Sequence, residues 1–149
     1  MGRRRIKIDV VSDEHSIRAV DHTGDAGIEV TAPSRAELMR RALLGMASLM
    51  VGGDIRERER RTISIEGADD EDLLHDFLAA ALNLFLVDGF IWRDVAVEDR
   101  GSRIEAELRG ERLDRARHEY RGEIKAVTYH QINVNETNGA WQARVIFDI

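Results

Sequence analysis

Three short stretches of the sequence hold residues able to do chemistry. The first, Asp21-His22-Thr23-Gly24-Asp25-Ala26-Gly27, sets two carboxylates and an imidazole within five residues, at the entry to the strand Ile28 to Val30. Its plain reading is a turn in which Asp21 and Thr23 cap backbone amides while Gly24 and Gly27 relieve steric conflict. The second, Glu123-Ile124-Lys125-Ala126-Val127-Thr128-Tyr129-His130, surrounds a short apolar centre with charged and aromatic groups. As a strand it would place Glu123, Lys125, Val127 and Tyr129 on one face and Ile124, Ala126, Thr128 and His130 on the other. Its plain reading pairs Lys125 with Glu123 or another acid and makes His130 a hydrogen-bonded core histidine. The third is Val145-Ile146-Phe147-Asp148-Ile149, a patterned apolar strand running to the last residue. Chain ends commonly fray, so this one is expected to be held inside the fold, with the α-carboxylate of Ile149 beside Asp148. Two anions about 4 Å apart repel by roughly 4 kcal/mol at an effective dielectric near 20, which calls for a cation or a basic side chain.

Composition narrows that chemistry. The 149 residues include no cysteine, so disulfides, thiolate zinc sites and cysteine nucleophiles are excluded and any metal must be held by oxygen or imidazole. A net charge of −6 argues against broad, sequence-independent binding to nucleic acid, and RNA is expected to be reached only through another protein. Of 22 basic residues only Lys7 and Lys125 are lysines, so Lys125 stands out. The start, Met1-Gly2-Arg3-Arg4-Arg5, is followed by Ile6-Lys7-Ile8-Asp9 without the apolar stretch of a signal peptide, and a cytoplasmic location is expected. The run from Leu73 to Leu86 is broken by His75, Asp76 and Asn83, short of the roughly 18 apolar residues a bilayer span needs; no membrane partner is expected. Asp69 to Asp72 lack the spacing of a calcium-binding EF-hand loop and read as the start of a helix. Gly-rich phosphate loops, zinc-ligand spacings and a nucleophile elbow are missing.

The elements that must position these stretches are legible in periodicity. Between Ser34 and Met50, apolar residues recur at helical spacing; Ser34 and Glu37 form a capping box and Gly52-Gly53 is expected to supply a left-handed stop. A second helix runs through Leu73, Leu74, Phe77, Leu78, Ala81, Leu82 and Phe85 and ends at Asp88-Gly89. Period-two alternation marks strands at Ile63 and Ile65, Val95 and Val97, Ile104 to Leu108, Ile132 and Val134, and Trp141 to Phe147. Asn138-Gly139 predicts a tight hairpin before the last of these, with the carboxyl terminus as a strand edge. Arg56, Arg58, Arg60 and Arg61, interleaved with Glu57 and Glu59, read as a solvated edge, and Gly110 to Gly122 as a loop. The fold class is α+β: two helices packed on a largely antiparallel sheet, with an internal strand-helix-strand duplication as a further expectation. One domain should span 1–149, with residues 1–16 as an N-terminal extension or first strand.

Taken together, the three stretches resemble the archease family. Asp21-His22-Thr23-x-Asp25-x-Gly27 is similar to its amino-terminal signature, Glu123 to His130 to its "EIKAVTYH" segment, and Trp141 to Ile149 to its last strand ending in Asp-Ile, in the same order from about residue 20 to residue 149. Ala26 stands where the family commonly has a larger aliphatic residue. The resemblance implies an accessory protein of RtcB-type RNA ligases in tRNA splicing and RNA repair, promoting guanylylation of the ligase and multiple turnover while being no enzyme itself. It also implies a divalent cation, calcium before magnesium, held at the positions matching Asp25, Asp148 and Ile149. Lys125, with His22, Asp21 and His130, is expected to contact the partner or a phosphate. Two other readings stand beside it: a small metal-dependent hydrolase of nucleotide or phosphoester substrates, with Asp25, Asp148 and His22 or His130 as base, and a chaperone-like module for RNA-processing proteins.

Overall fold

The computed structural model describes residues 16–22 and 25–149, and for Val20, Asp21 and His22 it gives the backbone. The expected extension before residue 16, His15, Thr23 and Gly24 therefore lie outside the described residues. Among the described residues, two helices and ten strands form an α+β fold.

Helix α1, Arg35–Met50, begins where Ser34 Oγ accepts from the Glu37 N–H at 3.1 Å. Only this half of the capping box is seen, because the Glu37 carboxylate turns along the helix to Arg41 at 2.7 Å and Arg40 at 3.2 Å. Helix α2, Asp70–Asp88, is capped by Asp69, which accepts from the Asp72 N–H at 2.9 Å, and stops at Gly89 with φ +69°. That left-handed geometry costs an L side chain energy and glycine little.

The five-stranded sheet is built from β1 (Ile17–His22), β2 (Asp25–Ala32), β10 (Ala140–Asp148), β8 (Ala126–Val127) and β9 (Asn133–Thr137). Strand β10 runs through its middle, with β2 on one side and β9 then β8 on the other. The carboxyl-terminal strand is thus central rather than an edge; its inward residues Ala143, Val145 and Phe147 are buried, and burial on that scale favours neighbours on both sides. Asn138 and Gly139, at φ +53° and +80°, make the expected two-residue hairpin into it.

A second sheet has the order β4 (Glu59–Glu66), β6 (Arg103–Arg112), β5 (Phe90–Asp99), all antiparallel neighbours. The arginine-rich stretch enters its edge strand β4, as a solvated edge should. Two short strands, β3 (Val51–Gly53) and β7 (His118–Tyr120), pair separately. They correct two expectations. Residues 110–122 are not a loop, since β6 continues to Arg112 and β7 follows. Nor do Gly52-Gly53 stop α1 in a left-handed turn: Val51 is already extended, because pairing with Tyr120 draws the chain straight from helix into strand.

Both helices lie between the two larger sheets, α1 against β1, β2 and β10 on one side and β5 on the other, α2 against β4, β5 and β6 on one side and β8 and β9 on the other. Burial on two sides explains why the apolar stripe of α1 is so broad, with Leu38, Met39, Leu43, Met46 and Met50 fully buried and Glu37, Arg40 and Arg41 left on the remaining side. The Trp92 indole of β5 donates to the Leu43 carbonyl at 2.9 Å, fixing α1 on the three-stranded sheet. No internal duplication is evident. Helix α2 connects two strands of one sheet, whereas α1 connects β2 to a strand outside it.

Candidate functional site

Antiparallel register decides whether the two predicted acids can act together. Asp148 of β10 stands directly opposite Asp25 of β2, and Asp25 stands opposite His22 of β1. Directly opposed residues of neighbouring strands share a sheet face with Cβ atoms about 4.5–5.5 Å apart. Their face is fixed by the core: Ala26 and Ile28 of β2 and Val145 and Phe147 of β10 are buried, so Asp25 and Asp148 belong to the outer face at the end of the sheet. Asp148 is exposed and Asp25 half-buried. Ile149 follows immediately and packs partly against the core.

The approach of the two strands here depends on Gly27. A Cβ at that position would meet the Val145 carbonyl oxygen at 2.6 Å and Ile146 Cδ1 at 2.9 Å. Beyond β10, Ala126 opposes Asp148, and the Lys125 N–H donates to the Asp148 carbonyl at 2.7 Å. Asp148 is therefore gripped through its backbone on both sides while its carboxylate faces outward. Lys125 and Glu123 both precede the short strand β8 and both are exposed, so strand alternation does not set them on one face as the plain reading expected. The side chains of Asp21 and His22 are beyond the described residues, though the backbone sets His22 in the row of Asp25 and Asp148 and Asp21 one step inward, opposite Ala26.

The segment after β8 leaves the sheet. The Thr128 N–H and hydroxyl both donate to the Ile146 carbonyl, at 3.1 and 2.8 Å, and Thr128 Oγ1 accepts from the His130 N–H at 3.2 Å. The chain turns through Gln131 at φ +56°. Strand alternation is thus lost after Val127, and His130 is exposed rather than a core histidine. Tyr129 lies outward, its ring stacked on His75 of α2 with centroids 3.8 Å apart and its hydroxyl donating to Asp72 at 3.2 Å. His75 Nε2 donates to the Val127 carbonyl at 3.1 Å. This histidine, without a visible partner in the sequence, fastens the motif segment to α2.

As a donor set, Asp25, Asp148 and the main-chain or terminal carboxyl oxygen of Ile149 suit a hard cation such as calcium or magnesium and suit softer metals poorly. Among the described residues, no group of three or more His, Asp or Glu side chains converges as a closed metal site would. The residues present fit an open, oxygen-rich cation site.

A second charged cluster went unpredicted. Glu111, 4% exposed, accepts from Arg117 at 2.6 and 2.8 Å, from the Arg56 N–H at 2.7 Å and from His118 Nε2 at 2.9 Å. His118 Nδ1 accepts from the Asp114 N–H at 2.9 Å, so its proton sits on Nε2. The Arg117 guanidinium, more than any other group, holds the Glu111 carboxyl far below the usual carboxylate range, against the opposing effect of burial. Arg35, at the start of α1, joins Asp99 and Asp70; its hydrogen bonds to Asp99 hold that carboxyl below its ordinary value. Both clusters tie loops to the core and lie on elements other than those carrying Asp25 and Asp148.

Comparison with known proteins points one way. The model of the Archease protein family (MTH1598/TM1083) matches residues 18–149. The chain is 31% identical to the archease of Pyrococcus abyssi over 135 residues, covering 87% of this chain and 95% of that protein. It is 34% identical to the archease of Thermococcus gammatolerans over 137 residues, with the same coverages. Among solved structures, Methanobacterium thermoautotrophicum protein 1598 superposes with a TM-score of 0.74 at 27% identity, over 90% of this chain and 99% of that one. A crystal structure of an archease, possible chaperone, from Thermotoga maritima shares the fold, with a TM-score of 0.64 at 22% identity over 92% of this chain and 100% of that one.

Proposed function

Because the chain belongs to the archease family, we propose that it is a metal-dependent activator of an RtcB-type RNA ligase, acting in the cytoplasm in tRNA splicing or RNA repair and catalysing no covalent step itself. The observation that supports this reading best is the direct opposition of Asp25 and Asp148 across β2 and β10. Two carboxylates in that relation repel one another and gain from a shared cation. Asp25, Asp148 and an oxygen of Ile149 would hold it, and calcium is the better candidate because it accepts irregular oxygen geometry that magnesium resists. The bound ion supplies positive charge that locks the ends of β2 and β10 together.

Lys125 is fastened to Asp148 through its backbone, so whatever orders Asp148 also orders the start of β8. The resulting tip, with Lys125, His22, Asp21 and His130 as partner- or phosphate-contacting groups, would bind the ligase conformation competent for nucleotidyl transfer better than the alternative, and so raise its population. Pre-ordering the tip lowers the entropy lost on docking. The test is ligase guanylylation, without RNA, in the presence of wild-type protein or Asp148→Ala. Wild-type protein should accelerate the step in calcium, and the variant should lose most of that stimulation, ten-fold or more, while keeping its circular dichroism and melting profile. A variant that stimulates as well as wild type removes the acidic tip from the mechanism.

A further inference from the structure

The outer face of the five-stranded sheet carries a second polar feature, four residues along the strands from the acids. Arg144 of β10 stands opposite Glu29 of β2 and Asn133 of β9, and Arg18 of β1 stands opposite Glu29. Four residues along a strand span about 13 Å, so this row is separate from Asp25 and Asp148. It lines a cleft of about 600 Å³ that also takes in Asn135 and Gln142. One carboxylate serves both cations: Arg18 reaches one oxygen of Glu29, and Arg144 reaches the other at 3.1 Å. Two guanidinium charges against one carboxylate leave the cleft net positive in a chain whose net charge is −6.

Arg144 is also left short of partners. Its Nε is buried and makes no hydrogen bond, and among the described residues no other buried side-chain nitrogen or oxygen is in that position. Buried donors in folded proteins are nearly always paired, so this orphan marks a guanidinium the protein does not fully use, on a side chain that is otherwise 35% exposed and lines the cleft. A guanidinium offers five N–H groups in a planar fork, and each arginine spends only part of that capacity on Glu29. The neighbouring amides add donors that do not depend on charge.

From this we infer that the cleft is an oxyanion site for the phosphate group of a phosphate monoester. Several converging donors of mixed type exceed what a second carboxylate could use, whereas three or four phosphate oxygens can take the forks of both arginines and an amide together. A phosphate also carries more charge than Glu29 and so competes with it for both cations. The site owes nothing to the ligase reading.

The experiment is equilibrium binding of three probes to the full chain at low ionic strength: inorganic phosphate, a nucleoside monophosphate and a single-stranded RNA oligomer, with a polyglutamate peptide as carboxylate control. Arg144→Gln is expected to weaken the phosphate-bearing probes about ten-fold. Arg18→Gln, at a side chain 74% exposed and therefore harmless to folding, should weaken them several-fold. Glu29→Gln should tighten them, because the competing carboxylate is gone. Similar affinity for phosphate and nucleotide supports the assignment, whereas a preference for the RNA oligomer, whose diesters carry one charge each and two free oxygens, would overturn it. Binding unchanged in both arginine variants, binding absent from wild type, or polyglutamate binding as tightly as phosphate would overturn it. These outcomes are read on the isolated protein, whereas failure of the activator reading is read on guanylylation.

Discussion

Glu111 shows how one side chain can organise a region that gives no periodic signal. Nothing in the run Gly110 to Gly122 alternates, since its order comes from a buried carboxylate gathering Arg117, His118 and the backbone of Arg56. Acids and bases six or seven residues apart across a bend leave no pattern in the chain, so this cluster was illegible beforehand. Its carboxyl is held below the ordinary value, so the charged form is the one that stabilises the fold. That contribution is complete above the ordinary glutamate value near 4.3 and is lost progressively as pH falls below it toward the folded value. Glu111→Gln is expected to cost about 2 kcal/mol at neutral pH, by weakening charge-assisted bonds to a buried group. Urea unfolding at pH 7, 5 and 3 should show the gap between wild type and variant intact at pH 5 and shrinking at pH 3. A gap that stays constant to pH 3 contradicts the assignment of the charge to Glu111.

At the scale of elements, β2 and β10 make the candidate site, and Gly27 lets them do so. Strand β10 was legible as an alternating run, whereas β2 was marked only by its short segment Ile28 to Val30, and the face that each presents follows from which residues are buried. What the sequence could not reveal is that β10 is central, because pairing partners far apart in the chain leave no local mark; nor that alternation stops at Val127, where hydrogen bonds to Ile146 bend the chain away. Gly27→Ala changes no proposed ligand, yet its Cβ would press on the Val145 carbonyl oxygen, an atom that cannot swing aside as a flexible side chain can. Overpacking of this kind typically costs about 1–3 kcal/mol. The strands are expected to part beside Asp25 and Asp148, so calcium affinity measured by titration calorimetry should fall several-fold. A Gly27→Ala protein that binds calcium like wild type would show that the strand spacing is not what sets the site.

For the whole molecule, the α+β class and both helices were legible because each helix has a strong apolar period and clear ends. The sheet-helix-sheet layering was less so: the broad apolar stripe of α1 says only that the helix is covered, not that a sheet covers it on each of two sides. Layering matters for the proposed ion. Strand β10 crosses the middle of its sheet and packs through Val145 and Phe147 into the shared core, so a cation at its end acts on a strand that cannot detach without opening that core. Binding to the folded state alone stabilises it by about 2.7 kcal/mol at a free concentration one hundred times the dissociation constant. For a chain of this size that corresponds to a rise in Tm of roughly 5–10 °C. Calcium added to metal-stripped protein is therefore expected to raise Tm by that amount in wild type and by little in Asp148→Ala, with magnesium giving a smaller shift at equal concentration. The same rise in both proteins would place the ion elsewhere on the surface, and no rise in wild type at saturating calcium would leave the opposed carboxylates as a feature of the sheet alone.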